Sequence, residues 1–192
     1  MLKKTYVAKL KKELHEYALI RRDVIKIADD ALHHAKRAVF DLHRGDLKGA
    51  DEKIRFVERT IKDLNKKYKK QPEIQDEGTY KAALEEYVEA SLFYQFIIKG
   101  DIGEIKGLPV SGEVYLAGLC DVPGELFRFA VRAATNHDLL MVKRCAEVAE
   151  EIIGELMEFN LTKYLRNKFD QAKQATHRLE MVVYEATLRN QG

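Results

Sequence analysis

"YLAGLCDVPGELFRFAVRAA", residues 115–134, decides how many helices this chain forms and whether two of its carboxylates can act together. Nearly all of it patterns as a buried helix, yet Pro123 and Gly124 stand in the middle, between Asp121 and Glu125. Local rules allow a break here: Asp121 as an N-cap, Pro123 and Gly124 in the first turn of a new helix, and Glu125 favouring its dipole. In a continuous helix, by contrast, Val114, Gly118, Asp121, Glu125, Arg128 and Arg132 fall in one narrow stripe, with Leu, Cys, Phe, Val and Ala over most of the remaining surface. Carboxylates four residues apart repel each other, more strongly when desolvated, and a bound cation would reverse that cost. The two arginines further along the stripe suit a phosphate, whose oxygens a guanidinium grips in bidentate fashion.

Working outward, glycine and proline punctuate a series of helices. Neither occurs from Lys3 to Arg44, where Leu10, Leu14, Tyr17, Val24, Ala28, Leu32, Ala35, Val39 and Leu42 recur at helical steps. Gly45 ends this long helix, and Asp46 is the expected N-cap of a second, which reaches Tyr68. A third is predicted over 79–99, after the polar break KKQPEIQDEG. The loop DIGEIKGLPVS leads to Ser111, the expected cap of the stretch quoted above, which ends at Asn136. Two more are predicted over 137–159 and 162–190. With no useful strand alternation, repeat or long linker, residues 1–192 read as one all-α domain, a bundle of six to seven helices with a long first helix.

The third helix carries a second charge anomaly. From Tyr87 to Ile98 only Glu89, Ser91 and Gln95 are clearly polar, the mark of a buried helix. Glu86 and Glu89 share a side, whereas Glu85 points elsewhere and reads as solvent-facing. Buried carboxylates need matching cations or hydrogen bonds. The plainer alternative leaves Glu86 and Glu89 at an exposed helix start, paired with lysines. Glu86, Glu89, Asp121 and Glu125 together offer hard oxygen ligands suited to Mg²⁺ or Mn²⁺.

Composition narrows the alternatives. The net charge of +2 conceals a basic stretch, residues 1–70, with 20 Lys and Arg against 11 Asp and Glu; the remaining residues carry a net of −7. Such a division fits a polyanion on one half and metal cations on the other, or simply solvated helix faces. No apolar run approaches the roughly 18 residues needed to span a bilayer, and no export signal opens the chain, so a cytoplasmic protein without a membrane partner is expected. Cys120 and Cys145 lack zinc or disulfide spacing and read as buried thiols in a reducing compartment. There is no Walker, GxSxG or GxGxxG motif and no expected small-molecule cofactor. The carboxylates supply no Glu-x-x-His pair, which argues against a dinuclear iron bundle.

Three stretches resemble the translin/TRAX family: KRAVFDLHR at 36–44, EYVEASLFYQFI at 86–97 and YLAGLCDVPGELFR at 115–128. They are similar to the family's KRxxFxLHR, to its EYVEA segment followed by spaced aromatics, and to the YLxGxxDxxGELxR pattern of the TRAX branch. The resemblance implies an all-α fold of about seven helices, a hollow octamer-like shell and Mg²⁺-dependent endoribonuclease activity inside it. It also implies that Glu86, Glu89, Asp121 and Glu125 hold the metal and carry catalysis; the translin branch lacks this complete set and mainly binds nucleic acid. Cleavage by an activated water is then expected to leave a 5′ phosphate and a 3′ hydroxyl.

The chain departs from the pattern at Val122-Pro123 and lacks the long insertions and basic N-terminal extension of larger members, so a homo-oligomer is expected. The resemblance makes RNA the expected ligand, with single-stranded DNA as a second candidate. Arg21, Arg22, Lys36, Arg37, Arg44, Arg128 and Arg132 are the candidate RNA contacts, each equally readable alone as a solubilising charge. His43 is either packed or in contact with RNA. Joined to the family pattern, the stripe favours one continuous, bent helix through Pro123. A non-catalytic nucleic-acid-binding oligomer and a helical adaptor remain as alternatives.

Overall fold

The structure, a computed structural model, describes residues 2–189 and contains six α-helices: α1 (Lys4–Arg44), α2 (Leu47–Lys67), α3 (Gly78–Lys99), α4 (Gly112–Thr135), α5 (Leu139–Met157) and α6 (Lys163–Arg189). One 3₁₀ turn, Pro72–Asp76, occupies the polar break before α3, and no strand occurs among the described residues. The expected end of the last helix at Asn190 lies outside them.

Local chemistry sets the helix ends. Gly45 closes α1 in the left-handed region at φ 80°, donating its N–H to the carbonyls of Asp41 and Leu42. Asp46 caps α2 by accepting from the Gly49 N–H at 2.9 Å, and Ser111 caps α4 by accepting from the Val114 N–H at 3.3 Å. The predicted start of α5 at His137 moves to Leu139. His137 takes a positive φ, and Asp138 becomes the cap by accepting from the Met141 N–H at 3.0 Å.

The helices form two groups. α1, α2 and α3 pack together, as do α4, α5 and α6, and the contact between α3 and α4 joins them. α3 is therefore enclosed over its middle: every residue from Tyr87 to Phe93 is buried, as its apolar circumference predicts. Gly118 lets α4 approach the α3 backbone beside Val88.

α4 runs unbroken through Pro123, so Asp121 is not an N-cap. A proline inside a helix removes one ladder bond and costs about 3 kcal/mol. Here Val122, Pro123 and Leu126 are all buried, and α4 packs against α3, α5 and α6, which offsets that cost.

α1 extends beyond the bundle. Its 41 residues span about 60 Å at a rise of about 1.5 Å per residue, yet Val24 is its first buried residue. Leu10 and Leu14 fit the amphipathic pattern but are 38% and 68% exposed, on the part of α1 that precedes its first buried residue.

Candidate carboxylate site between α3 and α4

The α3–α4 contact brings the predicted quartet together. Glu86 and Glu89 face it from α3, Asp121 and Glu125 from α4, and the four interact through their charges. Glu89 is the innermost, with 8% of its surface exposed. Burial, followed by the charges of Asp121, Glu125 and Glu86, drives its pKa well above the ordinary value; Lys168 gives partial relief. Burial likewise raises the pKa of Glu86 and Asp121, against the lowering influence of Lys36 and Lys168 respectively.

Each of the outer three carboxylates has a basic partner. Lys36 of α1 stands 3.4 Å from Glu86. Lys168 of α6 donates to Asp121. Glu125 is hydrogen-bonded to His43 Nε2 and receives Arg128 Nη1 at 2.9 and 3.0 Å on its two oxygens. His43 is held from behind by Phe93, 5.0 Å away between ring centroids, and by Phe129 at 6.3 Å. The Arg132 guanidinium donates to the His43 carbonyl.

Glu85 corrects the sequence reading. It does not face solvent: its side chain is 14% exposed, accepts from the Tyr164 hydroxyl at 2.6 Å and lies 3.3 Å from Lys168 Nζ. The helical wheel placed it off the quartet's side correctly, but α6 packs at that edge and covers it. Lys168, Tyr164 and Glu85 are thus site residues that the sequence reading missed, and no local spacing signals the first two. For His43 a signal existed, since Lys36 and His43 are seven residues apart and share a helix face.

The basic residues divide by position. Lys36 and Arg128 pair with Glu86 and Glu125, and Arg132 reaches the carbonyl of His43, the residue bonded to Glu125. Arg44 is exposed at the end of α1, its guanidinium 5.6 Å from the Phe40 ring centroid. Arg22 and Arg37 are exposed on α1. Arg21 lies about 22 Å from Lys36 along the helix, where it donates to Glu77 at 2.7 Å.

The donor set suits a hard divalent cation. Four carboxylates supply oxygen only, and burial makes their mutual repulsion costly, which a cation would relieve. Among the described residues, no three His, Cys, Asp or Glu side chains already stand in the arrangement of a metal shell, because the outer three are turned toward their own partners. The two thiols take no part. Cys120 and Cys145 are free and buried, and burial pushes their pKa up to about 11 and about 12.

Comparison with known proteins gives a consistent likeness. The chain is 28% identical over 156 residues to an uncharacterized protein of Methanocaldococcus jannaschii, an overlap of 79% of this chain and 69% of the relative. The crystal structure of AfC3PO superposes with a TM-score of 0.87 at 26% identity, covering 97% of this chain and all of the other. An AfC3PO complex with duplex RNA gives 0.86 at 26% identity, with 96% and 97% covered. Apo-NeC3PO, at 23% identity and a TM-score of 0.83 over 97% and 98%, shares the fold. Among the described residues no helix is long and apolar enough to cross a membrane. With the Translin family model matching residues 19–190, nearly the whole chain, the protein belongs to the translin family.

Proposed function

We propose that this protein is a metal-dependent endoribonuclease of the TRAX-like branch, acting on single-stranded or flexible RNA inside a hollow homo-oligomer. The observation that carries the reading is Glu89, a buried carboxylate surrounded by three others and stabilised by none of them. A protein that only bound a polyanion would gain nothing from a concentrated negative charge beside its basic groups.

Glu86, Glu89, Asp121 and Glu125 would hold Mg²⁺ or Mn²⁺, which when bound polarises a phosphoryl oxygen and lowers the pKa of an attacking water. The chain's own groups orient the substrate. Arg128 and Arg132 follow the carboxylates along α4 and offer guanidinium donors to phosphate oxygens. Arg44, Lys36 and the exposed arginines of α1 continue the positive surface, so the flanking RNA backbone would be held beside the cluster while the scissile phosphate is presented to it. The likeness to AfC3PO, solved with duplex RNA, supports RNA as the ligand. Exposed Tyr6, Val7, Leu10, Leu14 and Leu19 on the projecting part of α1 support self-assembly, since an amphipathic helix left uncovered offers its apolar side chains to a partner. An octamer-like shell is the expected product.

One observation favours a second reading, a non-catalytic nucleic-acid-binding oligomer: Lys168 already sits on Asp121, where a divalent cation would bind. Labelled single-stranded RNA incubated with Mg²⁺, Mn²⁺ or chelator separates the two, using the wild type, Glu89→Ala and Asp121→Ala. The nuclease reading expects chelator-sensitive cleavage that both substitutions abolish. Cleavage untouched by either substitution rejects this site, and salt-sensitive RNA retention without turnover under any divalent ion establishes the binder.

A further inference from the structure

Lys168 ties α6 to both helices carrying the quartet. Its ammonium donates to Asp121 of α4, lies 3.3 Å from Glu85 of α3, and stands 5.5 Å from the centroid of the Tyr164 ring, one turn back on α6. The side chain is 13% exposed, so these partners and not water solvate the charge. Asp121 therefore faces two claims, one from this ammonium and one from any divalent cation that the quartet takes up.

We propose that Lys168 is a displaceable counterion: it neutralises Asp121 in the metal-free protein, passes to Glu85 when a divalent cation arrives, and thereby sets the cation affinity of the site. This rests on reading the quartet as a divalent-cation site. Two like charges cannot share one carboxylate in a desolvated setting without strong repulsion, so the ammonium must move. The structure supplies its destination. Glu85 lies outside the quartet, its Oε2 is already fixed by the Tyr164 hydroxyl at 2.6 Å, and that oxygen is the one Lys168 approaches. The Tyr164 ring offers a second, cation-attracting wall. Glu85 and Tyr164 also border a cleft of about 700 Å³, so the destination lies at the edge of open space and not in the packed core. A bridge needed only to pin α6 in place would require one carboxylate; two, one inside the metal set and one beside it, permit exchange.

Mn²⁺ affinity of the full-length, metal-free protein, measured by calorimetry and by electron paramagnetic resonance without RNA, tests this. Lys168→Met keeps the packing volume and removes the competing charge, and Mn²⁺ is expected to bind at least about tenfold more tightly. Lys173→Met removes an equal charge from the same helix, where Lys173 pairs with Asp170 at 3.0 Å, and is expected to change affinity less than about twofold. Glu85→Gln, which strands the ammonium on Asp121, is expected to weaken binding several-fold and decides the matter if Lys168→Met fails to fold. Unchanged or weaker binding in a folded Lys168→Met, an equal gain in Lys173→Met, or unchanged binding in Glu85→Gln overturns the proposal. Wild-type Mn²⁺ binding with any of these outcomes leaves the nuclease reading standing, whereas absence of Mn²⁺ binding in every variant overturns both.

Discussion

Gly118 of α4 stands so close to Val88 of α3 that a β-carbon added to it would lie 2.6 Å from Val88 Cβ and 2.7 Å from the Glu85 carbonyl oxygen. The second neighbour is backbone and cannot rotate away. Gly118→Ala gains about 1 kcal/mol of helix propensity, but here it must push α3 and α4 apart. Overpacking of this kind costs about 1–3 kcal/mol. A net loss of stability in urea unfolding is expected, together with weaker Mn²⁺ binding as the quartet spreads; a stabilised variant would refute the close contact.

Removing the Glu89 charge should separate folding from catalysis. Its folded pKa is raised above 4.5, by burial first and then by Asp121, Glu125 and Glu86. A carboxyl raised in this way stabilises the fold fully below its unfolded value, and the contribution is lost as pH rises through the folded pKa. Glu86 and Asp121 shift in the same direction. The Tm of the metal-free protein should therefore decline over a window that opens near pH 4.5 and extends upward. Glu89→Gln should flatten the decline and melt at or above the wild type at neutral pH, while abolishing RNA cleavage. A lower Tm with an unaltered slope would contradict this.

Binding of RNA should respond differently to the basic residues. Arg132→Ala and Arg44→Ala are each expected to weaken binding of single-stranded RNA and to reduce the slope of log affinity against log salt by about 0.7, the value for one lost phosphate contact on a single strand. Arg21→Ala, which removes a side chain tied to Glu77, should change that slope less. Slopes unchanged from the wild type in Arg44→Ala and Arg132→Ala would remove these two residues from the interface.

Assembly should depend on the projecting part of α1. Leu10→Glu combined with Leu14→Glu places charge on exposed apolar positions and touches no core residue. Light scattering should report a smaller species at unchanged helical content. An oligomer of wild-type size would show that the apolar stripe of α1 is not an assembly contact.

The thiols provide a probe of packing. Buried, with pKa pushed up to about 11 and about 12, Cys120 and Cys145 should not react with a disulfide reagent at pH 8 in the folded protein. Both should react on unfolding, and rapid labelling of either in native buffer would contradict the burial.

What the sequence disclosed was local. Gly45, Gly100, Asp46 and Ser111 announce helix ends because capping depends on neighbouring residues alone. The quartet was legible because period 3.6 assigns faces, and an apolar helix makes a narrow acidic stripe conspicuous. The wheel assigns a face but not the helix that covers it. Lys168 lies 47 residues from Asp121, and His43 lies 82 from Glu125. Those pairings exist only after α6 and α1 dock. Pro123 shows the opposite limit, since the local rule for a helix start was sound in itself and burial of α4 on several sides overrode it.

The placement of Lys168 on the last helix bears on the order in which the molecule is made. Synthesis runs from the N-terminus, so α3 and α4 are translated before residue 168, and their acidic faces precede the lysine that neutralises Asp121. A nascent chain at that stage holds a half-built, self-repelling cluster, and arrival of α6 supplies both the missing charge and the last wall. α6 thus acts as a keystone: the site closes only once α6 has docked, and a chain cut short before α6 is left with open, mutually repelling carboxylates.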